Sequence, residues 1–157
     1  MADVSKFIVN LEPMSRQNAI SKLVSTNQQS QKHGLVLSER NALQIIDARN
    51  EALITTGRIE LGFEIINKII RMFCQSLYIN QANYADTICE LLAAFYYMKN
   101  ETREQIGDDD LICIMRDSFD NRCFGSIELL IGRELEQLVA EIRSGRYYGR
   151  HDDSEEV

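Results

Sequence analysis

Two histidines occur in the chain, His33 and His151. Histidine is the side chain that ordinarily exchanges protons near neutral pH. His33 falls in a polar connecting stretch and His151 in an acidic tail, so neither stands where a nucleophile in the core would need a base. His151-Asp152-Asp153 has the donor types for a divalent metal, but a tail without fixed geometry reads better as solvated. Asp108-Asp109-Asp110 invites a Mg²⁺ reading. Three consecutive residues at a helix start project in three directions, however, and carboxylates there are accounted for by the positive end of the helix dipole. No glycine-rich loop with Walker or dinucleotide spacing accompanies them. The cysteines, Cys74, Cys89, Cys113 and Cys123, match no zinc or redox spacing and read as reduced thiols. The residues therefore designate no catalytic group, no cofactor site and no metal site.

One set of charges resists a bland account. Arg49 and Glu51 lie near the end of one apolar helical pattern, Arg58, Glu60 and Glu64 at the start of the next, and Arg133 and Glu134 interrupt a third. Several of them occupy or flank positions that the apolar stripes claim. Buried charges are normally paired, so the favoured reading is an ion-pair network that ties helices together. The sharper reading is a charged pocket between helices near Arg49, Glu60 and Arg133, in which perturbed pKa values would mark a binding site.

The elements that would hold these residues are all helices. A single proline, Pro13, and no tryptophan occur among 157 residues, and scarcity of proline suits long helices. Residues 1–13 form a lead-in, with Phe7, Ile8, Val9 and Leu11 as a short apolar clip. A weak stripe over Met14–Gln28 frays into a polar loop over 25–37. Ser38 is placed to cap a second helix, and Gly57 to end it in the left-handed conformation. The third helix is expected over Ile59–Ser76, with an apolar arc broad enough to place it at the centre. The fourth follows Asn80, with Tyr84, Ile88, Leu91, Leu92, Phe95 and Tyr96 in helical register. A fifth opens at Asp108 and a sixth runs from Gly125-Ser126 to Gly145. The expected fold is thus all-α, one domain over 1–145 with five or six helices around a central one. The acidic stretch 146–157 has no apolar period and reads as disordered.

Charge narrows the partners. The net charge is −7, and the acidic excess lies beyond residue 57. Phosphate backbones repel such a surface, which disfavours nucleic acid. The apolar runs are too short to span a membrane, and the start of the chain has no secretion-signal pattern. These features point to a cytoplasmic protein.

Three stretches are informative when taken together. They are Ala48-Arg49-Asn50-Glu51-Ala52-Leu53 through Thr56-Gly57-Arg58-Ile59-Glu60-Leu61-Gly62, then Lys99-Asn100-Glu101-Thr102-Arg103, then Gly125-Ser126-Ile127-Glu128-Leu129-Leu130 with Gly132-Arg133-Glu134-Leu135. The combination resembles a small family of uncharacterised bacterial proteins, a domain of unknown function, over most of residues 35–145. The resemblance implies a bacterial cytoplasmic protein and brings no activity, cofactor or catalytic residue.

The leading expectation is a protein-interaction or regulatory helical module, acting on a protein partner or as a homo-oligomer. The alternative is a small-molecule-binding domain built on the charged cluster. An enzyme ranks last, because no nucleophile, base or metal constellation is apparent.

Overall fold

Several of the helices begin or end at a local capping signal. The computed structural model describes residues 12–147, with side chains from Arg16 onward, and the described residues form an all-α fold without strands. Helix α1 spans Glu12–Ser25 and buries Ala19 and Leu23. It ends where the Ser25 and Thr26 hydroxyls donate to the Lys22 and Leu23 carbonyls, since hydroxyls near a helix end compete for its backbone. The clip at Phe7–Leu11 and the tail over 148–157 lie outside the described residues.

The expected polar loop is more structured than its composition suggests. It contains the short helix α2, Asn27–Ser30, and a 3₁₀ turn, Gln31–His33, closed by Gly34 at φ 80°. The chain returns as Leu35-Val36-Leu37, with both leucines buried. Two amide side chains stand in for strand partners. Asn27 bonds both the N–H and the C=O of Leu37, and Gln81 does the same for Val36.

Helix α3, Glu39–Thr56, starts and stops as its sequence dictates. Ser38 Oγ accepts from the Asn41 N–H, Asn41 reciprocates, and Gly57 ends the helix at φ 71°. The next helix differs from expectation. Helix α4 covers Glu64–Phe73 only. Residues 58–63 are irregular, Ile59 and Leu61 are exposed, and Leu77 is 97% exposed. The reason lies on the preceding helix: the carbonyls of Glu60 and Gly62 turn to Arg49 instead of closing a helical turn.

Helix α5, Tyr84–Glu101, is the central element, in place of the expected third helix. It buries ten residues, from Tyr84 to Lys99, and packs most extensively along α3. Its N-cap is Asn83, and Asn80 and Asn83 bond each other's backbone N–H reciprocally. Helix α6, Asp108–Asn121, packs on α4, where Phe73 meets Phe119 edge to face at 5.6 Å. The last run is α7, Ile127–Leu129, a π-helical segment, Leu130–Leu135, and α8, Glu136–Arg143. Ser126 Oγ caps it by accepting from the Leu129 N–H. No helix among the described residues is long and apolar enough to cross a membrane.

Candidate functional site

The charged residues singled out in the sequence divide among separate places. Arg49, Arg58 and Glu60 come together. The Arg49 side chain projects from α3 into the bend at 58–63 and is 4% exposed as a residue. Its guanidinium donates to the carbonyls of Glu60 and Gly62 and to Asn50 Oδ1. It lies 4.7 Å from the centre of the Phe63 ring and 3.7 Å from Glu60 Oε1. A planar fork of donors suits several fixed carbonyls at once. Arg49 therefore holds the irregular segment against α3.

Glu60 is the hinge of a larger network. Its Oε1 accepts from the Tyr96 hydroxyl at 2.7 Å, and its Oε2 stands 3.3 Å from Arg58 Nε. Arg58 bonds both carboxylate oxygens of Glu104, approaches Asp108 at 3.7 Å, and lies over the Tyr96 ring. Lys99 closes the chain. It is 3% exposed, and its ammonium donates to the Ile106 carbonyl and pairs with Asp108 at 2.8 Å and Glu104 at 3.4 Å. Three cations, Arg49, Arg58 and Lys99, thus face three carboxylates, Glu60, Glu104 and Asp108. The charge is balanced within the network, so it presents no surplus to a ligand.

The turn that delivers Glu104 is strained. Arg103 and Glu104 stand at φ 52° and 62°, a region that costs an L-residue about 1–2 kcal/mol. The Glu104 N–H donates to the Lys99 carbonyl, and the Thr102 hydroxyl to the Met98 carbonyl, which hold the turn. Burial, with the Glu60 carboxylate next, pushes the Tyr96 phenol well above its ordinary value. Tyr96 therefore serves as a donor to Glu60 and keeps its proton.

The remaining predicted residues lie elsewhere. Glu51 is exposed on α3. Glu64 stands 3.8 Å from Lys68, which reaches Asp109 at 2.9 Å. Arg133 and Glu134 pair at 2.9 Å on the π-helical segment, with Arg122 3.7 Å from the same carboxylate. Arg133 also donates to the Arg122 carbonyl. Its partners are Glu134 and Arg122, not Arg49 or Glu60.

Sequence reasoning missed Tyr96, Lys99, Glu104 and Asp108 as members. One signal was available: Lys99 stands four residues after Phe95 and seven after Leu92, on the apolar stripe of α5. Asp108 was read as a helix cap, and it does lie in the first turn of α6, but its carboxylate is shared with Lys99 and Arg58.

A second feature lies at the far end of α6. Phe124 and Gly125 both have positive φ, 49° and 82°, and Phe124 is 67% exposed. The Gly125 backbone sits against the Tyr78 side chain, which brings the Leu77-Tyr78 segment beside Phe124. Among the described residues no group of three or more His, Cys, Asp or Glu side chains could hold a metal ion.

No curated protein and no solved structure matches the chain. A family model does match, over residues 22–148, and these include the whole ion network and the Phe124 turn: the chain belongs to DUF6323, a family of unknown function.

Proposed function

We propose that the chain is a protein-interaction module whose docking face is centred on Leu77, Tyr78 and Phe124. The observation that supports it most is Phe124, an exposed aromatic held in a left-handed conformation, whose neighbour Gly125 sits against the half-exposed Tyr78. Single exposed apolar residues are ordinary. A strained one clustered with others is the kind of feature that interaction sites carry. Aromatic side chains are also enriched among the residues that anchor interfaces.

The partner's chemistry follows from the surroundings. Arg122 and Arg133 are 67% and 51% exposed, whereas the Glu134 carboxylate they share is only 13% exposed. The partner fitted to this face is a protein segment that presents apolar anchors flanked by carboxylates. Complementary charge of this kind governs encounter and register more than affinity. The free cysteines, two of them buried, suit a reducing compartment, which favours the cytoplasm.

The alternative, a ligand pocket at Arg49, Glu60 and Arg133, has less in its favour. Arg49 is sealed by carbonyls and Phe63, and Arg133 pairs with other residues. An enzyme has the least support.

The test compares the wild type with Leu77→Ser/Phe124→Ser, purified from native cells with associated proteins and followed by sedimentation. A specific protein retained by the wild type and lost from the equally folded double variant supports the face. Identical retained proteins, or association with a second copy only, would count against the proposed partner.

A further inference from the structure

A groove of about 340 Å³ lies between the α1–α2 corner and α4, away from the ion network. Its floor is buried, with Cys74 at the base. Its walls and rim carry Lys22, Arg71, Gln28, Gln29 and Asn67. No aspartate or glutamate lines it, although the chain has 24 of them.

The two cations differ from most of the others. Arg49, Arg58, Lys68, Lys99 and Arg116 each pair with carboxylates. The Lys22 ammonium and the Arg71 guanidinium pair with no side chain among the described residues, and the amides of Gln28, Gln29 and Asn67 are equally uncommitted. Burial pushes the Cys74 thiol up, with Arg116 and Lys32 opposing, so the floor stays uncharged at neutral pH. Each cation lies in the last turn of its helix, where the dipole favours positive charge. That accounts for their sign. It does not account for both lining one groove that carries amides and no carboxylate.

We propose that this groove binds a small phosphorylated sugar or polyol, with its phosphate between Lys22 and Arg71 and its hydroxyls against Gln28, Gln29 and Asn67. An arginine fork and a lysine point charge are the usual pair for a phosphate group. Side-chain amides donate and accept at once, which is what hydroxyl groups require. The volume falls in the range of small-molecule sites. This site is independent of the Phe124 face, and either can fail without the other.

The test is calorimetric titration of the full chain with a hexose phosphate, with free hexose, inorganic phosphate and citrate as controls. The expected result is a Kd below about 1 mM for the hexose phosphate, and at least tenfold weaker binding, on the order of one charge-assisted contact, in Lys22→Ala/Arg71→Ala. Added salt should weaken binding, as it screens exposed charges. Gln28→Ala/Gln29→Ala should bring the hexose phosphate down to the affinity of inorganic phosphate. Both pairs of residues are rim positions, and circular dichroism checks that the variants fold. Equal binding of hexose phosphate and inorganic phosphate would reduce the groove to an adventitious anion site. Stronger binding of citrate would overturn the phosphate. Absent binding, or unchanged affinity in the Lys22/Arg71 variant, would overturn the site itself.

Discussion

The Tyr96 hydroxyl donates to Glu60 Oε1 at 2.7 Å, joining the central helix to the irregular segment that follows α3. Burial and the Glu60 charge raise the folded-state pKa of this phenol, so with rising pH the unfolded chain loses the proton first. The stability tied to it is whole below about pH 10, the ordinary tyrosine value, and falls above it by about 1.4 kcal/mol per pH unit for each proton retained. Burial also pushes the Tyr84 phenol up, to about 12, and adds to the loss in the same window. Tyr96→Phe should cost about 1–3 kcal/mol at neutral pH, because Glu60 loses a buried donor. It should also flatten the alkaline decline. Urea unfolding at about pH 8 and at about pH 10.5 checks both; a parallel decline in the two proteins would separate Tyr96 from the effect.

Arg49→Ala removes the cation that fixes the Glu60 and Gly62 carbonyls. Breaking a buried pair from one side typically costs about 3–5 kcal/mol. Arg133→Ala, at a half-exposed side chain, should stay within about 1 kcal/mol. Denaturant midpoints read the contrast. Equal losses would mean that the two arginines do not belong to separate environments.

The sequence made the helices legible where a stop signal coincided with a change of period. Ser38, Gly57, Ser126 and Gly145 bound elements as their types imply. It misled at Ile59–Ser76, because apolar spacing there mimics a helix while the backbone is claimed by Arg49. That competition is between residues 11 and 13 positions apart, and no local pattern records it. The site was legible in part for a similar reason. Arg49, Arg58 and Glu60 stood out because they interrupt stripes, whereas Glu104 joins the network only through a left-handed turn. Arg133 and Glu134 interrupt a stripe too, but a π-helical segment takes up that irregularity.

Lys99 is the second anchor of the network and should be as sensitive as the first. Lys99→Met preserves the length of the side chain and removes the bonds to Ile106, Asp108 and Glu104. The expected loss is about 2–4 kcal/mol, since two carboxylates lose their nearest buried cation. Without that cation the strained Arg103-Glu104 turn should open. Hydrogen exchange checks this: amides of 102–107 should lose more protection than those of α3. Uniform loss across the chain would mean that the lysine supports global packing instead of the turn.

Two glycines of the last helical region should respond in opposite ways. A Cβ at Gly125 would overlap the Tyr78 side chain, 2.6 Å from its Cγ, at φ 82°. Gly125→Ala should therefore destabilise by about 2 kcal/mol or more. Gly132, in the π-helical segment, has nothing within 4 Å of such a carbon. Gly132→Ala should be neutral or stabilise by up to about 1 kcal/mol, through reduced freedom of the unfolded chain. Thermal midpoints of the two variants read the difference.

Phe124→Gly separates stability from docking. Glycine accepts φ 49° without the side-chain clash that phenylalanine meets there, a relief of about 1–2 kcal/mol. Its greater freedom in the unfolded chain takes back about 0.5–1 kcal/mol. Little packing is lost, because the phenylalanine ring is largely in solvent. The variant should therefore unfold at an equal or slightly higher urea concentration than the wild type, while binding of the partner falls at least tenfold, in the range of an aromatic anchor removed from an interface. The combination is diagnostic, because a residue kept for packing would lose stability and binding together. Sedimentation with the partner and urea unfolding of the isolated chain supply the two readings. A variant that unfolds markedly earlier would assign Phe124 to the fold, and one that binds the partner unchanged would remove it from the docking face.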